Sequence, residues 1–194
     1  GETKIYLIAH SLGTHLVTET FTQSWQKFRC YKKKKLLEPA TFEDNYKEDL
    51  VDLMLEQTKN LVDLIVLVCP MAHQNSVFST GENATMMQAC SNRLVVFWTK
   101  KDRTLKKHKQ ILDQKWRSAG IYGSKGVDQI DKNVLSLHLK FQEKDHGRKY
   151  WKKYVIDWVW AFHSRQNDSS RRLWGNRGEM VFKKESDWTK FLED

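Results

Sequence analysis

A chain of 194 residues fits one domain, or part of a larger one, and not two full enzyme domains. Its 40% hydrophobic residues, with eight Trp and nine Phe against two Pro and nine Gly, can build a packed core and do not describe a linker or a collagen-like chain. A net charge of +9, a mean hydropathy of -0.67 and the lack of an apolar run of about 18 residues exclude a transmembrane helix.

Periodicity predicts an alternation of strands and helices. Lys4–Ala9 is a short apolar strand, and Leu12–Phe28 is a helix opened by Ser11. Phe42–Lys59 repeats Phe42, Tyr46, Leu50, Leu53 and Met54 at helical spacing, and Leu61–Cys69 is a nearly continuous apolar run suited to a strand buried on both faces. A loop with a short helix near Asn83–Cys90 leads to a third strand, Arg93–Thr99. Thr104–Ser118 reads as a helix with Leu105, Ile111, Leu112 and Trp116 inward and Lys106, Lys107, Lys109 and Lys115 outward. Gly120–Gly126 is a glycine-rich loop, Val134–Phe141 a fourth strand, and Arg148–Phe162 a helix with Tyr150, Trp151, Tyr154, Val155, Trp158, Val159 and Phe162 on one stripe. Such alternation predicts a mostly parallel sheet of about four strands with helices on both faces. Residues 164–194 read as a polar tail, set apart from a domain over residues 1–163. Its Trp174, Met180, Phe182, Trp188 and Phe191 imply that part of it docks on a surface.

Charge is concentrated. Residues 93–125 hold 10 basic and 2 acidic side chains, nearly the whole excess. That field suits phosphate, anionic lipid or an acidic protein, although the solvated face of one helix is the simpler account of it. The run Lys32–Lys35 reads as a solvated loop, and no nucleic-acid motif accompanies either cluster. The three cysteines Cys30, Cys69 and Cys90 show no paired or zinc-like spacing, which points to a reducing, intracellular compartment. His10, His15, His73, His108, His138 and His163 are too scattered for a zinc site, and no glycine-rich nucleotide motif is present, so neither metal nor cofactor is expected.

One segment carries chemistry. Ile5 to Thr14 runs strand, tight turn, helix, with Ser11 at the turn in the pattern Ala9-His10-Ser11-Leu12-Gly13. A turn this sharp calls for small residues two positions either side of the serine, which Ala9 and Gly13 provide. The hydroxyl would project above the carboxyl edge of the sheet, and the Leu12 amide at the helix start would donate to an oxyanion. A serine becomes a nucleophile only with a base to take its proton and an acid to orient that base. Asp102 follows the third strand and His146 follows the fourth, in the order Ser, Asp, His. Asp102 also reads as a helix cap, and His146 as a surface histidine at a helix start. Asp145, Asp128 and Asp131 are weaker rivals for the acid, and His10, adjacent to the serine, reads as structural.

These features resemble the carboxyl-terminal half of an α/β-hydrolase. The chain is most similar to serine-hydrolase-like families with an Ala-His-Ser-x-Gly elbow and an acid in an Asp-Arg-x-Leu stretch, here Asp102-Arg103-Thr104-Leu105. The resemblance covers about residues 3–162 and implies acyl transfer to water. Ser11 would be the nucleophile, His146 the base, Asp102 the orienting acid, and a small ester, thioester or amide the substrate. Such folds place several strands before the elbow strand, whereas this sequence opens on it. The expectation is a partial fold whose amino-terminal half is absent, completed by a protein partner or a missing amino-terminal segment. A second reading follows from the open sheet edge, the basic helix and the aromatic tail: a catalytically inactive subunit with a structural or interaction role in a larger protein complex, an organellar one included.

Overall fold

Five strands, β1 (Tyr6–His10), β2 (Leu64–Val68), β3 (Leu94–Trp98), β4 (Val134–Leu139) and β5 (Gly178–Phe182), lie side by side in chain order in one sheet. Every neighbouring pair is parallel, in registers such as His10 with Val68 and Trp98 with His138. The computed structural model describes residues 4–21, 23, 61–78, 87, 90–112, 116–127, 133–141, 150–164 and 178–193. The expected helix over 42–59, the run Lys32–Lys35, and His146 with its neighbour Asp145 and the rivals Asp128 and Asp131 lie outside them.

β2, β3 and β4 are buried along their whole length, as their unbroken apolar character requires of strands covered on both faces. Among the described residues the helices are α1 (residues 12–21), α2 (Gln74–Phe78), α3 (Arg103–Leu112), α4 (Ala119–Tyr122), α5 (Tyr150–Ser164) and α6 (Glu185–Glu193). One face of the sheet packs Leu64, Val66, Val95, Phe97, Leu135 and Leu137 against Trp151, Tyr154, Trp158 and Phe162 of α5 and Trp188 of α6. The other packs Ala9, Ile65, Leu67, Leu94 and Val96 against Val77 and Phe78 of α2, with Val17 and Phe21 of α1 alongside.

The sheet has one strand more than the sequence reading gave. β5 comes from the segment read as a tail, and it pairs with β4 from Leu135–Gly178 to Leu139–Phe182. α6 then folds back onto the aromatic face. Its start is capped by Asp187, whose Oδ2 accepts from the Lys183 and Lys184 amides at 3.1 and 2.9 Å, and Tyr154 on α5 donates to Glu185 at 3.2 Å. A second correction concerns the basic helix. α3 ends at Leu112, and Trp116 and Arg117 stand outside it, because the backbone there is drawn to the loop after β2: Gln74 N–H donates to the Arg117 carbonyl at 2.7 Å and Ala119 N–H to the Ala72 carbonyl at 2.9 Å. Leu105 is buried, Lys106 and Lys107 are exposed, and Trp116 is half-buried.

Candidate active site

The β1 ladder continues one residue past the strand, with Ser11 N–H donating to the Val68 carbonyl at 3.0 Å. Ser11 then takes φ +53°, in the left-handed region that non-glycine residues rarely enter and that is concentrated at functional turns. Within that one residue the chain passes from strand into α1, and Thr14 N–H donates back to the Ser11 carbonyl at 3.1 Å. Strand, strained serine and helix make the nucleophile-elbow geometry.

Thr14, which the sequence reading passed over, holds this turn. Fully buried, its hydroxyl donates to the Ser11 carbonyl and accepts from the Met71 amide at 3.0 Å, tying the turn after β1 to the loop after β2. A threonine three residues beyond the serine, able to reach back to its carbonyl, was the available signal. Ala9 is packed in the second core, where the sharp turn calls for a small residue. The same need does not arise at Gly13, where an added Cβ would meet nothing within 4 Å. This side of the elbow is open, so sterics do not explain that glycine.

The loop after β2 is fixed as firmly. Cys69 has φ +45°, the Ser118 hydroxyl donates to the Pro70 carbonyl at 2.6 Å, and the Gly120 amide donates to the same oxygen at 2.8 Å. A Cβ at Gly120 would lie 2.7 Å from that oxygen and 2.8 Å from the Cys69 carbonyl carbon, so this approach of two backbones requires glycine.

Asp102 lies beyond β3 on the same carboxyl rim as Ser11, and it is buried. Its Oδ1 accepts from the Leu105 amide at 2.9 Å, and its carbonyl accepts from the Lys106 amide at 3.2 Å, so it caps α3 as one sequence reading expected. An ionised carboxylate offers roughly four acceptor positions on two oxygens, so the cap does not exhaust it. Leu12 stands at the first turn of α1, where backbone N–H groups lack intrahelical acceptors, and its side chain is exposed. His10 is exposed at the end of β1.

Two histidines that read as scattered share a neighbour. His15, one helical turn past Ser11, and His73, after β2, meet the Trp116 ring edge to face at 6.2 and 5.2 Å, while the Trp116 indole donates to the Met71 carbonyl at 3.2 Å. Burial and the nearby Arg117 lower the His73 pKa, which keeps the ring neutral. Its Nδ1 accepts from the Asn75 amide at 3.2 Å, which places the ring proton on Nε2. His73 therefore presents a donor rather than a base. Among the described residues no group of three or more His, Cys, Asp or Glu is arranged to hold a metal ion.

The profile of a family described as an alpha/beta hydrolase of unknown function (DUF900) matches residues 1–132. The chain belongs to this family. Membership agrees with the five-stranded parallel sheet and its two helical layers, and the matched span of this α/β hydrolase contains both Ser11 and Asp102 and ends before β4. No curated protein and no solved structure matches the chain.

Proposed function

We propose that the chain is a serine hydrolase acting on a carboxylic ester or related acyl substrate. Ser11 is the nucleophile, His146 takes its proton and passes it to the leaving group, Asp102 orients the imidazole, and the Leu12 amide donates to the oxyanion. The observation that carries this reading is the left-handed serine at the strand-to-helix turn, φ +53°, held by a buried threonine. Strain of about 1–3 kcal/mol at such a residue persists only where the surroundings enforce it. The spacing of the elements supports the acid. β1 and β3 are separated by one strand, so their carboxyl ends lie roughly 10 Å apart on the rim that Ser11 and Asp102 follow. An acid and a nucleophile at that separation need an imidazole between them, and His146 follows β4 in the chain.

A fluorophosphonate probe tests this directly. Labelling should fall on Ser11, disappear in Ser11→Ala, and drop by at least about a thousandfold in rate in His146→Ala, as expected when a member of a triad is removed. A folded wild-type chain that resists the probe would overturn it.

A specific observation favours the second reading. Among the described strands β1 is at the sheet edge, and Ile5 just before it, Ile8 on it, and Leu12 and Leu16 on α1 are each about half exposed or more, apolar surface suited to an inactive subunit that packs against other protein. On that reading the folded chain is inert to the probe and its solution mass falls on Ile8→Lys.

A further inference from the structure

The strained serine stands at one end of a longer series of hydrogen bonds. Its carbonyl takes two donors from a single residue, the Thr14 amide at 3.1 Å and the Thr14 hydroxyl. A threonine hydroxyl has one proton to give and lone pairs with which to accept. The Met71 amide can only donate, so the hydroxyl accepts from it, at 3.0 Å, and its own proton goes to the Ser11 carbonyl. Thr14 is fully buried, which removes water as a competitor at both contacts.

The series runs on past Met71. The Met71 N–H belongs to the same planar peptide group as the Pro70 carbonyl. That carbonyl accepts from the Ser118 hydroxyl at 2.6 Å and from the Gly120 amide at 2.8 Å. Ser118 is buried and also caps α4, its oxygen accepting from the Gly120 amide at 3.2 Å. Capping uses a lone pair of that hydroxyl and leaves its proton for Pro70. The following carbonyls are held from the same segment, Met71 by the Trp116 indole at 3.2 Å and Ala72 by the Ala119 amide at 2.9 Å. The loop after β2 therefore cannot turn its Met71 N–H away from Thr14 without breaking bonds to residues 116–120.

At the elbow, planarity carries the orientation one step further. The Ser11 carbonyl and the Leu12 N–H share one peptide group and point in opposite directions. With the carbonyl drawn by Thr14 towards the body of α1, the Leu12 N–H is directed away from the helix, at a first turn where it has no intrahelical acceptor. Donor and acceptor thus alternate from the Ser118 hydroxyl through the Pro70–Met71 peptide and the Thr14 hydroxyl to the Ser11–Leu12 peptide. Bonds in such a series polarise one another, by about 10–30% each, so a carbonyl that accepts makes the N–H of its own peptide group a stronger donor.

We propose that Thr14 and Ser118 are positioning residues for oxyanion stabilisation, and that the series they form aims and polarises the Leu12 amide. Neither side chain touches the reacting atoms. The catalytic consequence rests on the hydrolase reading, whereas the alignment of the Leu12 amide does not. A donor that is already aimed needs no reorganisation when charge develops on the substrate oxygen, and that is the advantage of fixing it through buried bonds.

The test compares variants of the full chain. Thr14→Val keeps the side-chain shape and removes the hydroxyl, whereas Thr14→Ser keeps the hydroxyl and loses the methyl group. Ser118→Ala removes the far donor and leaves Pro70 its bond from Gly120, so it reports on the series even where Thr14→Val does not fold. Thr18→Val is the control, since the Thr18 hydroxyl makes a similar reach back along α1, to the His15 carbonyl at 3.0 Å, one turn beyond the elbow. The Leu12 amide ¹H and ¹⁵N resonances should move in Thr14→Val and, by less, in Ser118→Ala, and stay near the wild type in Thr14→Ser and Thr18→Val. The rate of fluorophosphonate attack at saturating probe should fall about tenfold in Thr14→Val and about threefold in Ser118→Ala, less than the roughly 10²–10³ lost when an oxyanion donor itself is removed. The probe concentration that gives half the maximal rate should not change, and Thr14→Ser should recover the wild-type rate. A packing role predicts the reverse order, with Thr14→Ser more impaired than Thr14→Val. That order, or Leu12 resonances unmoved in folded Ser118→Ala and Thr14→Val, would overturn the proposal. A folded wild-type chain inert to the probe removes the hydrolase reading alone, and the Leu12 resonances then decide the alignment by themselves.

Discussion

The two faces of the sheet are built from unlike chemistry. On one, Phe97, Trp151, Tyr154, Trp158, Phe162, Phe182 and Trp188 interlock, mostly edge to face at 5–6.3 Å, and close the core with rings. On the other, aliphatic packing under β1 to β3 gives way to the Trp98, Ser136, His138 and Glu179 group. Apolar area removed from water stabilises wherever it occurs, whereas a buried imidazole or a strained serine lowers stability and persists for another reason. Stability in this chain is therefore concentrated on the aromatic face, and the strained and buried polar groups along the carboxyl rim and the polar face.

The largest effect should come from breaking the aromatic face. Trp158 is fully buried, stacks on Phe162 at 5.2 Å and meets Phe97 at 6.3 Å, so Trp158→Ala should cost about 3–5 kcal/mol in denaturant unfolding. By contrast Ser11→Ala should abolish probe labelling and leave the unfolding midpoint nearly unchanged. A serine substitution that destabilised the chain as much as the tryptophan one would erase the distinction between the two regions.

A smaller but more local effect is expected on the polar face. At Gly123 an alanine would combine the positive φ with a clash against Trp98, and Gly123→Ala should cost about 2–4 kcal/mol. Because His138 stacks on Trp98, the same substitution should displace the His138 ring resonances, which Trp158→Ala should not. Unfolding curves and imidazole shifts measured together separate the two faces.

What the sequence disclosed follows the same division. The aromatic stripe of α5 and the continuous apolar runs of β2 and β3 were legible because both report burial through periodicity alone. The elbow was legible because five consecutive residues carry it. β5 was not: Gly178, Glu179 and the exposed Val181 dilute its apolar signal, and only pairing with β4, about forty residues earlier, shows it as a strand. Trp116 was placed on a helix by its spacing, while long-range bonds from residues 117–119 to 72–74 hold the backbone otherwise. The His138–Glu179 pair and the stacking of His138 on Trp98 join residues from separate strands, which no local pattern encodes. Ser11 was named from the elbow pattern and Asp102 from chain order, and the structure gives the positive φ of the first and the capping bond of the second.

The mildest prediction probes why the polar face tolerates a buried histidine. In the folded chain burial holds His138 down to about 4, whereas in the unfolded chain it titrates near its ordinary 6.5. Between those values the unfolded state binds a proton that the folded state does not, so stability falls as pH drops from about 6.5 towards 4 and levels off below that. The loss should be on the order of 2 kcal/mol, reduced from the full linkage value by relaxation of the groups around the ring. Glu179 works in the opposite sense, since burial raises its pKa and the folded state gains a proton first on acidification. His138→Phe keeps a flat ring on Trp98 and keeps Glu179, so the difference between the two unfolding profiles isolates the imidazole. The variant should match or exceed wild-type stability at pH 4.5 and lose that relative advantage by pH 7. Parallel profiles across this range would mean that the buried imidazole does not titrate with a lowered pKa, and that the polar face is packed no differently from the aromatic one.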